Sequence, residues 1–413
     1  MVSTVYIAKN VYGGDGLGRL GDGRVAFVPG AWAGENVKAE IVEEKRHFVK
    51  ARLVEIVDAS PDRADAGELG AIPGCVYAAL SPAGEMRAKE SQLKDFLERA
   101  RIPVPVVSPA EPAPLNYRNK AVYHFARQDG RWAIGYRAEP SHRIVDIERD
   151  PLAVPAINSA LPEIRRSVLT LLTTGPVAVR RDIERKGNVT VRWTERTGVK
   201  WWIGDAPKDL VLKEVTAGRV FEVPADGFYQ VNPEVGEALV KAVAAEYRRG
   251  LDEAANIVDL YCGVGVFGLS LLGSLAAEEA KARSPRLVGI ESGRQAIDFA
   301  RRNAANQGHG EAKFFAEQVG RNLRQIRIGA HSTVVVDPPR GGMEPNVPAW
   351  LAASPAPRIL YVSCDPATLM RDLKELRRTY EVESVRWFNM FPRTARFETF
   401  VTLRKRKARA SGV

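Results

Sequence analysis

The spacing of apolar positions changes character along the chain. From residue 1 to about 57, short apolar runs alternate with glycine-rich turns: Tyr12-Gly13-Gly14-Asp15-Gly16-Leu17-Gly18-Arg19, then Val25 to Gly30, then Glu35 to Val42. Brief strands separated by such turns predict a small, OB-like β-barrel over 1–57. Asp58 to Arg63 reads as a linker. Gln92, Leu93, Phe96 and Leu97 then recur at helical spacing over about 86–101, and prolines at 103, 105, 109, 112 and 114 break the chain. From Asn116 to about 220, β-like runs surround one helix at roughly 154–172, and residues 58–220 are expected to form a central α+β domain.

Beyond residue 221 the pattern becomes that of an α/β sheet. Ile257 to Leu260, Leu287 to Glu291, Thr333 to Asp337 and Ile359 to Val362 are apolar runs ending in polar or glycine residues, with helical stretches between them. Runs of this kind are buried on both faces, as in a parallel, Rossmann-like sheet. Two further runs, Ser384 to Met390 and Phe397 to Leu403, are expected to complete this domain over 221–408, leaving a basic tail at 409–413.

Composition narrows the possibilities. The chain has 413 residues, a formal net charge of +10 and three cysteines, Cys75, Cys262 and Cys364. These are too few and too scattered for a disulfide framework or a cysteine zinc site. No apolar run reaches the roughly 20 residues that span a bilayer, and the first residues lack a secretory pattern, so no membrane association and a cytoplasmic location are expected. Basic clusters at 45–47, 180–181, 301–302, 377–378 and 404–407 favour a polyanionic partner.

The chemistry gathers at strand ends. Ser363-Cys364-Asp365-Pro366 places a thiol where an apolar strand gives way to a helix, the edge at which open α/β sheets bind ligands. A sulfur nucleophile there suggests covalent catalysis. Tyr261 to Gly268 contains a G-x-G-x-x-G loop, and Glu291 ends the next strand, where it can accept from ribose hydroxyls. This loop fits a nicotinamide dehydrogenase as well as a methyl-donor site. In Asp337-Pro338-Pro339-Arg340 the prolines stiffen the loop, so that Asp337 and the carbonyls face a fixed ligand edge.

These motifs, with Gly227 to Asn232 and Pro392 to Glu398, resemble the S-adenosylmethionine-dependent RNA uridine-5 methyltransferases, and residues 1–57 resemble their TRAM barrel. The resemblance implies a class I methyltransferase domain acting on RNA, with Cys364 as the nucleophile that adds to uridine C6 and Glu398 as the base that removes the C5 proton. It implies cofactor binding by Gln230, Tyr261, Glu291, Gln318 and Asp337, and no metal. Both 23S ribosomal RNA and tRNA are open as substrates, the barrel favouring the former, and a monomer is expected.

The chain also departs from the family. Only Cys75 remains where many members hold an iron–sulfur cluster, so none is expected, since a cluster takes four thiolates. Val266 replaces a frequent amide, and Arg396 stands where a histidine usually precedes the glutamate. These departures keep a non-catalytic RNA-binding descendant as the alternative. Tyr117, Phe228 and Tyr229 are candidate stacking platforms for a base taken out of its stack.

Overall fold

The fold was analysed in a computed structural model, which describes residues 1–138, 141–321, 323 and 326–407; the expected tail at 409–413 lies outside them. Five strands, Val2–Asn10, Gly16–Arg19, Val25–Val28, Asn36–Glu44 and Phe48–Asp58, close into a barrel. Alternate positions such as Val5, Ile7, Val37, Ala39, Val49 and Ala51 fill its interior, the two-residue period expected of a half-buried strand. A second core lies under a five-stranded sheet built around Lys120–Gln128 and Asn188–Thr194, on which the helix Pro155–Thr174 packs.

The third sheet positions the chemistry. Its order is Lys313–Ala316, Leu287–Glu291, Asn256–Leu260, Ser332–Val336, Arg358–Ser363, Glu398–Lys405, Tyr380–Phe388 and Val106–Val107. The first five strands are parallel, and Glu398–Lys405 runs antiparallel between two neighbours. The chain order reverses between Asn256–Leu260 and Ser332–Val336. That reversal opens a crevice at the strands' carboxyl ends, as in other doubly wound sheets.

Two segments sit apart from where the sequence pattern puts them. The helix Pro82–Arg99, expected in the central domain, sends Leu93 and Leu97 into the core of the third sheet beside Val258 and Leu373, and Val106–Val107 adds an edge strand to that sheet. The hairpin Val211–Thr216/Arg219–Pro224 likewise buries Phe221 and Val223 against the helices of that sheet. A two-residue strand carries no period, so nothing local marks the first of these excursions. Among the described residues no helix is long and apolar enough to cross a membrane.

Candidate active site

Tyr261, Glu291, Asp337, Cys364 and Glu398 each sit at the end of a strand. Asp365 caps the helix Pro366–Leu376, its carboxylate accepting from the backbone N–H of Ala367 (2.9 Å) and Thr368 (3.1 Å). This fixes the turn that carries Cys364. Ser363 pairs with Thr399 across antiparallel strands, so continuing the register by one places Cys364 opposite Glu398. Tyr261 follows the first central strand at φ 63°, and Gly265 at φ 88° opens the next helix. Asp259 accepts from the Gly268 N–H at 2.8 Å, tying the glycine loop to its strand.

All seven residues singled out from the sequence line one cavity of about 950 Å³: Cys364, Glu398, Gln230, Tyr261, Glu291, Gln318 and Asp337. Arg340, Glu344, Arg396 and Phe228 share it. Glu344 escaped the sequence reading. It accepts from the Tyr261 hydroxyl, and a lone acid seven residues past Asp337 carries no motif. Glu291 accepts from the Gly293 N–H at 2.8 Å, which orients its carboxylate at the rim.

Of the three candidate platforms, only Phe228 is free to stack, at 75 % exposure. Tyr117 is buried and donates to the Pro392 carbonyl (2.9 Å), and Tyr229 is buried with its hydroxyl 2.6 Å from that of Thr216. Both belong to the core. Arg396 donates to Asp365 at 3.3 Å and to the hydroxyl of Tyr12, a barrel residue, at 3.2 Å. The barrel therefore touches the turn that holds Cys364, which nothing in the glycine-rich run around Tyr12 announces.

The cavity is acidic, and burial opposes the ionisation of Asp337 and Glu398. Burial raises Asp259 and Asp337 to about 7, aided by the charge of Glu291 on the first and of Asp259 on the second. Glu398 is held well above the usual carboxylate range by burial and then by Asp337, with Arg340 opposing. Burial, Glu398 and Asp337 push the Cys364 thiol up to about 12, again against Arg340. Cys262 is buried and its thiol is raised well above its ordinary value, first by burial, as for an inert structural cysteine. Among the described residues no group of three or more His, Cys, Asp or Glu is placed to hold a metal.

Such a cleft fits a cationic nucleoside ligand. Unionised acids around a cavity regain their charge when a cation enters. At Gly263 an added Cβ would meet nothing within 4 Å, so bare backbone faces open space there.

The tRNA (uracil-5-)-methyltransferase family matches residues 209–406, and a TRAM domain matches residues 2–54. An uncharacterised RNA methyltransferase of Gloeobacter violaceus is 32% identical, over 97% of this chain and 96% of its own length. The chain belongs to this methyltransferase family. Another RNA methyltransferase, from Streptomyces avermitilis, is 31% identical over 97% of each chain. The fold of the enzyme also matches the crystal structure of the Pyrococcus abyssi tRNA (uracil-54, C5)-methyltransferase in complex with S-adenosyl-L-homocysteine. That match has a TM-score of 0.71 and 23% identity, over 97% of this chain and all of the other. The enzyme is thus an S-adenosylmethionine-dependent RNA methyltransferase rather than a nicotinamide dehydrogenase.

Proposed function

We propose that the enzyme methylates C5 of a uridine in folded RNA through a covalent bond between Cys364 and C6. The observation that carries this is a single cavity lined by both Cys364 and Glu398, which flank the last pair, Ser363 with Thr399, of two neighbouring strands. Uridine C5 is a weak nucleophile. Addition of the Cys364 sulfur to C6 moves the ring electrons to C5 as an enolate carbon. S-adenosylmethionine supplies the electrophilic methyl group. Glu398 then takes the C5 proton, and the electrons left behind restore the C5–C6 double bond as they expel the Cys364 thiolate. Gln230, Tyr261, Glu291, Gln318 and Asp337 hold the methyl donor in this reading, with Glu291 at the ribose.

RNA carrying 5-fluorouridine tests the mechanism, because fluorine replaces the proton that Glu398 must remove. With the methyl donor present, a stable protein–RNA adduct should form and should vanish in Cys364→Ala. A wild-type enzyme that methylates RNA yet never forms the adduct would remove the covalent step from the mechanism.

The RNA itself has two supports that point in different directions. The barrel favours ribosomal RNA, whereas the likeness to an enzyme acting on tRNA uracil-54 favours tRNA. Nucleoside mass spectrometry of both pools from a deletion strain decides, since 5-methyluridine should disappear from one of them.

A further inference from the structure

A second cleft, of about 710 Å³, lies outside the active site between the helices Pro82–Arg99 and Pro366–Leu376. It is lined by Arg99, Arg101, Arg371, Lys374, Arg377 and Arg378, and by no acid. Some of these cations are already engaged: Arg371 pairs with Asp372 (2.8 Å) and Arg378 with Glu375 (2.7 Å). Arg101 and Lys374 are exposed and have no ion-pair partner among the described residues. The cleft thus keeps uncompensated positive charge in a concave place.

The fold also holds these cations in position. Arg377 donates to the carbonyls of Ala100 (2.8 Å) and Arg101 (2.9 Å), strapping the end of one helix to the other. Arg101 itself sits at φ 54°, a left-handed conformation costly for a residue with a side chain. The Arg99 guanidinium stacks over the Phe96 ring at 4.7 Å. Strain and strapping that serve to present like charges together make sense where an anion arrives. The cleft starts at Ala367, three residues beyond Cys364, and ends at Arg378. At the helical rise this is roughly 16 Å, the length of a few nucleotides of a strand.

We propose that this cleft is a phosphate track that grips the RNA backbone beside the target uridine. The proposal rests on the reading of the enzyme as an RNA uridine methyltransferase. Contacts of this kind position a strand without reading its bases. Its lining, in which every charged residue is basic, distinguishes the track from the cavity around Cys364, which carries Glu291, Asp337, Glu344 and Glu398.

The test is the double variant Arg101→Glu/Lys374→Glu, compared with Arg181→Glu in the separate basic cluster at 180–181. Each is titrated with bulk tRNA and with bulk ribosomal RNA between 50 and 200 mM salt, the ~4-fold range over which phosphate contacts are best resolved. For whichever RNA the wild type binds, the double variant should bind at least ~10-fold more weakly. Its log–log salt slope should fall by about 2, one for each lost phosphate contact. Affinity for S-adenosylmethionine should stay unchanged, which confirms an intact cleft. Equal losses in Arg181→Glu would show diffuse attraction and overturn the track, as would a double variant that binds like the wild type. If the wild type forms the 5-fluorouridine adduct while the double variant binds normally, the track alone fails; if the wild type binds neither RNA, the parent reading fails with it.

Discussion

The proposed mechanism uses Cys364 and Glu398 as anions, yet burial opposes both charges, pushing the Cys364 thiol up to about 12 and holding the Glu398 carboxyl well above the usual carboxylate range. The conflict resolves if the ligands complete the electrostatics. A sulfonium beside Asp337 and Glu398 would favour their charged forms, and Arg340 already works in that direction on Cys364 and Glu398. Asp337 makes this measurable, because its raised value of about 7 falls in an accessible range. Below that pH it is neutral and attracts a cation weakly; above it the carboxylate is present. Affinity for S-adenosylmethionine should therefore rise between pH 6 and 8, by up to about tenfold per unit for one linked proton. S-adenosylhomocysteine has no sulfonium and should show a flatter profile by calorimetry. Equal slopes for the two would exclude the acids as the partner of the positive charge. Glu398→Gln separates the second half of the reaction from the first. Turnover should drop by roughly 10²–10⁴-fold, the range for loss of a general base, while the methylated adduct accumulates and is seen as a crosslinked band. A variant that is slow without accumulating adduct would assign Glu398 to an earlier step.

The helix Pro82–Arg99 shows how one element supports that site. Lys89 is fully buried, and its ammonium donates to Glu85 (2.8 Å), Asn389 (2.7 Å) and the Phe391 carbonyl (3.2 Å). Glu85 also accepts from the Arg393 guanidinium at 3.1 Å and from its backbone N–H. The network clamps the loop 389–393, which leads directly to Arg396 and Glu398. Removing Glu85 strands two buried cations, so Glu85→Ala should destabilise the protein by about 3–5 kcal/mol in denaturant unfolding. A loss below ~1 kcal/mol would mean that the clamp contributes little. None of this was legible locally, because partners some 300 positions apart are set by topology. What local pattern did reveal follows from burial: Thr333 to Val336 reads as an interior strand since both its faces are covered. The strand-end positions of Cys364, Asp337 and Glu291 were likewise readable, because the apolar runs before them mark the strands of such a sheet. Arg396 looked like a defect in sequence. In the structure it bridges Asp365 and Tyr12, a task that needs a long cation and a barrel residue whose proximity no motif encodes.

At the scale of the molecule, the barrel has its own interior, so its hold on the remainder depends on a few contacts. Trp32 packs against Tyr77, with ring centroids 5.8 Å apart, and donates from Nε1 to the Ala79 carbonyl at 2.9 Å. Beside it lies Glu35, fully buried. It accepts from the Arg63 guanidinium at 2.6 and 2.8 Å and from the backbone N–H of Trp32 (2.8 Å) and Ser60 (3.2 Å). One barrel carboxylate thus anchors the linker. Burial alone would raise its pKa; the bonds from Arg63, Trp32 and Ser60 outweigh that and hold it below the ordinary 4.5. A depressed carboxylate stabilises the fold above its unfolded value, and that contribution is lost as pH falls through the folded value. Glu35→Gln should therefore be less stable than the wild type at pH 7, and the gap should narrow below about pH 4.5, where Glu35 takes up a proton in the unfolded chain first and in the folded protein at lower pH. Denaturant unfolding of both proteins from pH 7 down to roughly 3.5 measures the gap across the range in which the linkage acts. A gap that stays constant would show that shape alone, and not the charge on Glu35, joins barrel to linker. A narrowing gap would make this carboxylate the acid-sensitive tie that keeps Tyr12 in reach of the catalytic turn.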